Sequence, residues 1–154
     1  MRKSLVLLSS LSLGLLAAGP AAADMYFGAK TGKVMVDGAS DPTNASLMLG
    51  YELGVVAGDL GIEGEIGTSI DEASNGTEVD TAGAYLAFRT AGPIYLIAKG
   101  GAAWRDVKSN GSSNSETNES YGLGLGFSVG LLQLEAEFTR IEDDIDYLSL
   151  GIRF

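Results

Sequence analysis

Between Tyr121 and Val129 the chain alternates with a period of two: Tyr121, Leu123, Leu125, Phe127 and Val129 fall on one face, Gly122, Gly124, Gly126 and Ser128 on the other. That is the pattern of a strand with one apolar side. It recurs in Leu132, Leu134, Ala136 and Phe138 opposite Gln133, Glu135 and Glu137, and in Leu148, Leu150, Ile152 and Phe154 opposite Tyr147, Ser149, Gly151 and Arg153. Leu60, Ile62, Gly64 and Ile66 alternate with Gly61, Glu63, Glu65 and Gly67, and Ala82, Ala84, Leu86 and Phe88 with Thr81, Gly83, Tyr85 and Ala87. The pattern predicts eight strands, over 25–36, 45–53, 60–70, 79–90, 94–104, 120–129, 131–140 and 146–154. Most are about 9–11 residues long, enough to cross a bilayer core when tilted. Ile94–Ala98 is apolar on both faces; placing Lys99 inward sends Leu96, Ala98, Ala102 and Trp104 outward.

The connections alternate in predicted length. Stretches around 37–44, 71–78, 105–119 and 141–145 follow the odd strands, while 54–59, Ala91-Gly-Pro93 and a tight turn at Gly130 follow the even ones. Long loops on one side and short turns on the other mark an outer-membrane barrel. A soluble β-sandwich would also give each strand one apolar face. Its second face would be rich in charged and hydroxyl side chains, whereas here glycine and small residues dominate. Small residues suit the narrow interior of eight closed strands. The reading is an all-β, eight-stranded antiparallel up-and-down transmembrane barrel.

The first residues add export. Basic Arg2-Lys3, an apolar run from Leu5 to Leu16 and then Gly19-Pro20-Ala21-Ala22-Ala23 form the three zones of a secretory signal peptide. Residues 1–23 are therefore expected to be removed, leaving 24–154 as the barrel. With the new N-terminus in the periplasm, the first strand runs outward and the long loops face the exterior. Removing Arg2 and Lys3 takes the formal charge from −10 to −12, which disfavours nucleic acid. Neither cysteine nor histidine occurs, so no disulfide framework or thiolate metal site is expected. No cofactor is expected.

The signal sequence, the glycine-alternating strands and the ending Tyr147-Leu-Ser-Leu-Gly-Ile-Arg-Phe154 together resemble the small outer-membrane β-barrel superfamily. Its members include the transmembrane domain of outer-membrane protein A and the opacity-type proteins. The resemblance implies a Gram-negative outer-membrane location and contact with outer-membrane lipid and lipopolysaccharide. It also implies that Leu148, Leu150, Ile152 and Phe154 form the signal read by the barrel-assembly machinery, with Ile152 where the family usually has an aromatic residue. The barrel enzymes of this membrane, such as palmitoyltransferases, lipid A deacylases and omptin-type proteases, depend on a catalytic histidine. Lacking one, the chain is expected not to be an enzyme.

Strand direction gathers the charges. Lys30, Glu63, Glu65, Lys99, Glu135 and Glu137 lie near the periplasmic start of outward strands, and Glu52, Arg89 and Arg153 near the end of returning ones. Acids and bases at one depth of a low-dielectric lumen should pair, giving an internal salt-bridge plug. A conducting pore lined by the same charges is the other reading. Farther out, Gly32, Ser46, Met48, Gly67, Ser69, Gly83, Gly122, Gly124, Thr139 and Ser149 are small or uncharged, so a shallow vestibule or close packing is expected there.

Outside the barrel, residues 105–120 lack the apolar content to fold alone and are expected to be mobile. The acidic run Glu142-Asp-Asp-Ile-Asp146 lacks the spacing of a calcium loop and reads as a solvated cluster. Asn-x-Ser/Thr triplets at Asn75 and Asn110 read as turn chemistry. Trp104 and Tyr121 belong to the outer interfacial aromatic belt. The function expected is a structural or surface-interaction role, with an external protein ligand at the loops and a monomeric barrel. A small-solute or ion channel is the alternative.

Overall fold

The computed structural model describes residues 23–36, 41–71, 78–109, 112–143 and 145–154. The expected signal peptide, through residue 22, lies outside them, as do Asn75, Asn110 and Asp144. Eight strands run in chain order: β1 (Ala23–Val36), β2 (Thr43–Val55), β3 (Gly58–Asp71), β4 (Glu78–Thr90), β5 (Ile94–Ser109), β6 (Ser112–Val129), β7 (Leu132–Glu142) and β8 (Ile145–Arg153). Each pairs antiparallel with the next, and β1 pairs with β8, so the sheet closes into a barrel. Closure satisfies the backbone of both seam strands. The Phe154 amide donates to the Phe27 carbonyl at 2.9 Å, the Phe27 amide to the Phe154 carbonyl at 3.2 Å, and the two rings stack 5.2 Å apart.

The alternation read from sequence sets the faces. Leu47, Leu49, Ile62, Ile66, Leu86, Leu96, Leu123, Leu125 and Leu150 stand exposed on the outside, while Ile97, Lys99, Glu135 and Glu137 are buried inside. Lys99 points inward and Leu96 outward, so the apolar start of β5 has the phase its lysine dictates. Leu148, Leu150, Ile152 and Phe154 form one outward row, and Trp104 and Tyr121 also face out.

Both resolved chain ends share one end of the barrel with the short turns. There Gly130, with φ +64°, opens the two-residue turn between the cross-strand pair Val129 and Leu132. That φ favours glycine because a Cβ is strained there.

The opposite end departs from the expected loops. Residues 105–109 and 112–119 continue β5 and β6 as a paired ribbon that reaches Ser109↔Ser112, rather than forming a mobile loop. Backbone pairing, not an apolar core, organises this segment. The fourth connection is likewise short, because β7 runs to Glu142 and β8 begins at Ile145.

Candidate functional site in the barrel lumen

The inward face of the terminal half of the barrel carries side chains that strand alternation alone would place there: Lys30 from β1, Glu52 from β2, Glu63 and Glu65 from β3, Arg89 from β4, Lys99 from β5, Glu135 and Glu137 from β7, and Arg153 from β8. The structure joins all nine into one network. Lys30 and Lys99 each lie 2.8 Å from Glu137 and 3.1 Å from Glu65, and at 3.7 and 3.6 Å from Glu63. Glu63 links this group to the next, since Arg89 reaches Glu63 at 2.8 Å and Glu135 at 2.9 Å. Arg153 continues the chain to Glu135 at 3.4 Å and Glu52 at 2.6 Å, and it also donates to Gln133.

Four cations thus meet five carboxylates. Most of these groups are fully buried: Glu63 is 0 % and Arg89 2 % exposed. Removing such groups from water costs several kcal/mol per ion, so each depends on its partners. The arrangement makes sense only as a connected whole.

Residues that the sequence did not assign to this network complete it. The Tyr26 hydroxyl donates to Glu63 at 2.8 Å, and the Arg89 and Arg153 guanidinium groups lie over its ring, 5.0 and 4.4 Å from the ring centre. The Tyr95 hydroxyl donates to Glu135 at 2.9 Å. Lys99 sits 4.5 Å over the Tyr85 ring, and Ser46 donates to Glu65 at 2.8 Å. A signal for two of these was present in the chain. Tyr26 stands cross-strand from Gly50 and Tyr95 from Gly126. A Cβ at either glycine would collide with the tyrosine ring, so the missing side chain makes room for the aromatic one.

Toward the far end the lumen changes character, and of the two arrangements expected there, a vestibule or close packing, it takes the second. Val34, Ala103, Ile141, Ile145 and Tyr147 pack together across it, with Val79 also buried. A cavity of about 10 Å³ lies beside Thr81, Tyr85, Thr139, Ile141 and Tyr147, room for about one water. Of the residues expected there, Gly83 lies under the Tyr85 ring and Met48 packs over Gly28. The inward phase becomes apolar two residues from Gly32 and Ser149, at the buried Val34 and Tyr147.

The paired carboxylates Glu63 with Glu65 and Glu135 with Glu137 are occupied by lysine and arginine. Among the described residues no group of three or more potential ligands could hold a metal ion. In the acidic run, Asp146 pairs with Arg140 at 2.9 Å on the outer face.

An apolar exterior around a narrow, ion-paired interior defines a small membrane β-barrel. The chain belongs to the outer membrane protein beta-barrel domain family, whose model matches residues 4–150. Two solved structures share the fold. Neisserial surface protein A is 17 % identical with a TM-score of 0.57, the alignment covering 86 % of this chain and 98 % of that one. Ail, the attachment invasion locus protein of Yersinia pestis, crystallised with the heparin analogue sucrose octasulfate, is 24 % identical with a TM-score of 0.52, covering 86 % and 97 %. A comparison with curated proteins finds no match.

Proposed function

We propose that this outer-membrane barrel is a closed, monomeric, non-enzymatic protein of the Gram-negative envelope, with a structural or surface-interaction role. On this reading a signal peptide is removed during export, the terminal end faces the periplasm, and the β5–β6 ribbon projects outside. The apolar belt then meets outer-membrane lipid and lipopolysaccharide, and the row from Leu148 to Phe154 is what the assembly machinery reads.

The observation that carries the closed lumen is the nine-residue charge network, stacked against the apolar layer of Val34, Ile141, Ile145 and Tyr147. Ions crossing such a bore would have to break buried pairs and then traverse a dry segment. Both steps are costly where water is excluded. The absence of histidine from the sequence and the pairing of the carboxylates favour a non-enzymatic role.

Surface interaction is supported by the ribbon, which extends well past the length needed to cross the bilayer. Ail was crystallised with a sulfated heparin analogue. Here the chain is acidic, with a formal charge of −10, or −12 without residues 1–23, so a polyanion is a poor fit. Planar-bilayer recording of the refolded barrel tests the reading: a closed barrel gives no steady single-channel steps, and sizeable steps would establish the channel alternative.

A further inference from the structure

Lys33 is the one cation among the described residues that the protein leaves unpaired. Eight lysines and arginines follow residue 23. Four pair in the lumen, and Arg105, Lys108 and Arg140 pair with Glu116, Asp80 and Asp146. Lys33 makes no ion pair or side-chain hydrogen bond among those residues, although the chain carries twenty aspartates and glutamates. It is exposed on the outer face of β1, cross-strand from Thr43 of β2 and Leu148 of β8. The Thr43 hydroxyl likewise has no hydrogen-bond partner among the described residues. One carboxylate, Asp146, lies diagonal to Lys33 on β8, but Arg140 holds it at 2.9 Å.

Height places this lysine at a membrane boundary. Lys33 stands ten residues beyond Ala23, and Arg140 eight beyond Leu132 at the start of β7. At about 3.3 Å per residue and a tilt of about 40°, both lie roughly 20–25 Å above the terminal end. The apolar band of an outer-membrane barrel is about 25 Å tall, so the Lys33 ammonium reaches the level of lipid phosphates. Its apolar stem lies along the wall while the charge stays wet. Toward the terminal end from this lysine the belt is indented. Ala29 and Ala45 leave a groove of about 360 Å³ on the outer wall, bounded by Leu47, Ile66 and Thr68. Ligand clefts commonly measure about 300–1,000 Å³.

We infer that this part of the outer wall, β1 to β3, holds one phosphate-bearing lipid, its phosphate on Lys33 and Thr43 and an acyl chain in the groove. The inference rests on the proposed outer-membrane reading, which puts lipid against this wall. Charge selects the headgroup. An accessible phosphate monoester gives Lys33 the anion that the protein withholds, whereas a zwitterionic headgroup brings its own cation. The groove selects a lipid over soluble phosphate, because a chain seated against Leu47 and Ile66 adds packing contacts that a free anion lacks.

Native mass spectrometry of the refolded barrel, released from lipid nanodiscs and titrated with dioleoyl phosphatidic acid or dioleoyl phosphatidylcholine, tests the site. Phosphatidic acid should bind about fivefold or more tightly, the effect of one lysine near a membrane surface. Lys33→Gln should erase that preference and Lys33→Arg should keep it. Lys108→Gln, which removes a cation already held by Asp80, should leave it unchanged. Ala45→Phe fills the groove and should weaken both lipids, and excess glycerol phosphate should not displace phosphatidic acid. Equal affinity for the two lipids, an undiminished preference in Lys33→Gln, or its loss in Lys108→Gln would overturn the inference. So would unchanged binding in Ala45→Phe or full displacement by glycerol phosphate. A chain that fails to enter nanodiscs would refute the membrane reading itself, whereas equal lipid affinities in an inserted barrel refute the site alone.

Discussion

The two halves of the lumen solve the same packing problem with opposite chemistry. Near the termini the bore is filled by Lys30, Lys99, Arg89 and Arg153 interleaved with glutamates and held by the hydroxyls of Tyr26 and Tyr95. Near the ribbon it is filled by Val34, Ala103, Ile141, Ile145 and the Tyr147 ring. An apolar filling tolerates small changes of shape, because its contacts are many and individually weak. The ionic filling is intolerant, because each group depends on partners supplied by other strands. Arg89 alone ties β4 to β3 and β7. On the proposed closed-barrel reading, the charged half specifies which strands belong together and the apolar half excludes water.

The largest effect should come from breaking the network where it is most connected. Arg89→Ala leaves Glu63 and Glu135 buried with fewer partners, a loss of about 3–5 kcal/mol for an unpaired buried charge. Urea unfolding in lipid vesicles, followed through Trp104, the only tryptophan in the chain, measures it. Replacing the trio together, as Arg89→Met, Glu63→Gln and Glu135→Gln, should recover much of that loss, since no lone charge then remains. If Arg89→Ala costs no more than a single apolar truncation, the contrast between the halves fails.

The next effect probes how the tyrosines are seated. Gly126→Ala places a methyl group where the Tyr95 ring lies, and Gly50→Ala does the same beneath Tyr26. Overpacking of this kind costs about 1–3 kcal/mol. Each should also loosen the carboxylate its tyrosine supports, Glu135 in one case and Glu63 in the other. Combining Gly126→Ala with Tyr95→Phe separates the two contributions, because the ring stays while the hydroxyl goes. A stability equal to wild type in the glycine variants would show that the rings have room to shift.

The spans inside the membrane were legible because one face of each strand is apolar and the other is not. Leu123, Leu125 and Phe127 against Gly122, Gly124 and Gly126 leave little freedom of phase. Lys99 fixed the phase of β5 even where Ile94–Ala98 is apolar on both sides. Alternation placed the charged residues in the lumen, and strand direction placed them at one depth with their signs mixed. The ribbon was not legible: Arg105–Ser109 and Ser112–Ser120 carry a single apolar residue, Val107, so no period-two contrast survives. The apolar half of the lumen was obscured for the opposite reason. Val34 and Ile141 follow outward residues that are polar or charged, Lys33 and Arg140, so the usual contrast reverses at the barrel's outer rim. The tyrosine–glycine pairs needed the register of neighbouring strands, which alternation within one strand does not supply.

The smallest effect should fall in the apolar half and completes the comparison. Ile141→Val removes one methylene from the layer it shares with Val34, Ile145 and Tyr147. A loss of about 0.5–1.5 kcal/mol is expected, well below that of Arg89→Ala. The neighbouring cavity is only about 10 Å³, so the added space remains too small for a continuous water column. Ile141→Val should therefore stay silent in bilayer recordings and keep its heat-dependent gel shift. Steady current through this variant would mean that the apolar layer, and not the ionic one, is the barrier to ions. The division of labour between the two halves would then have to be reversed.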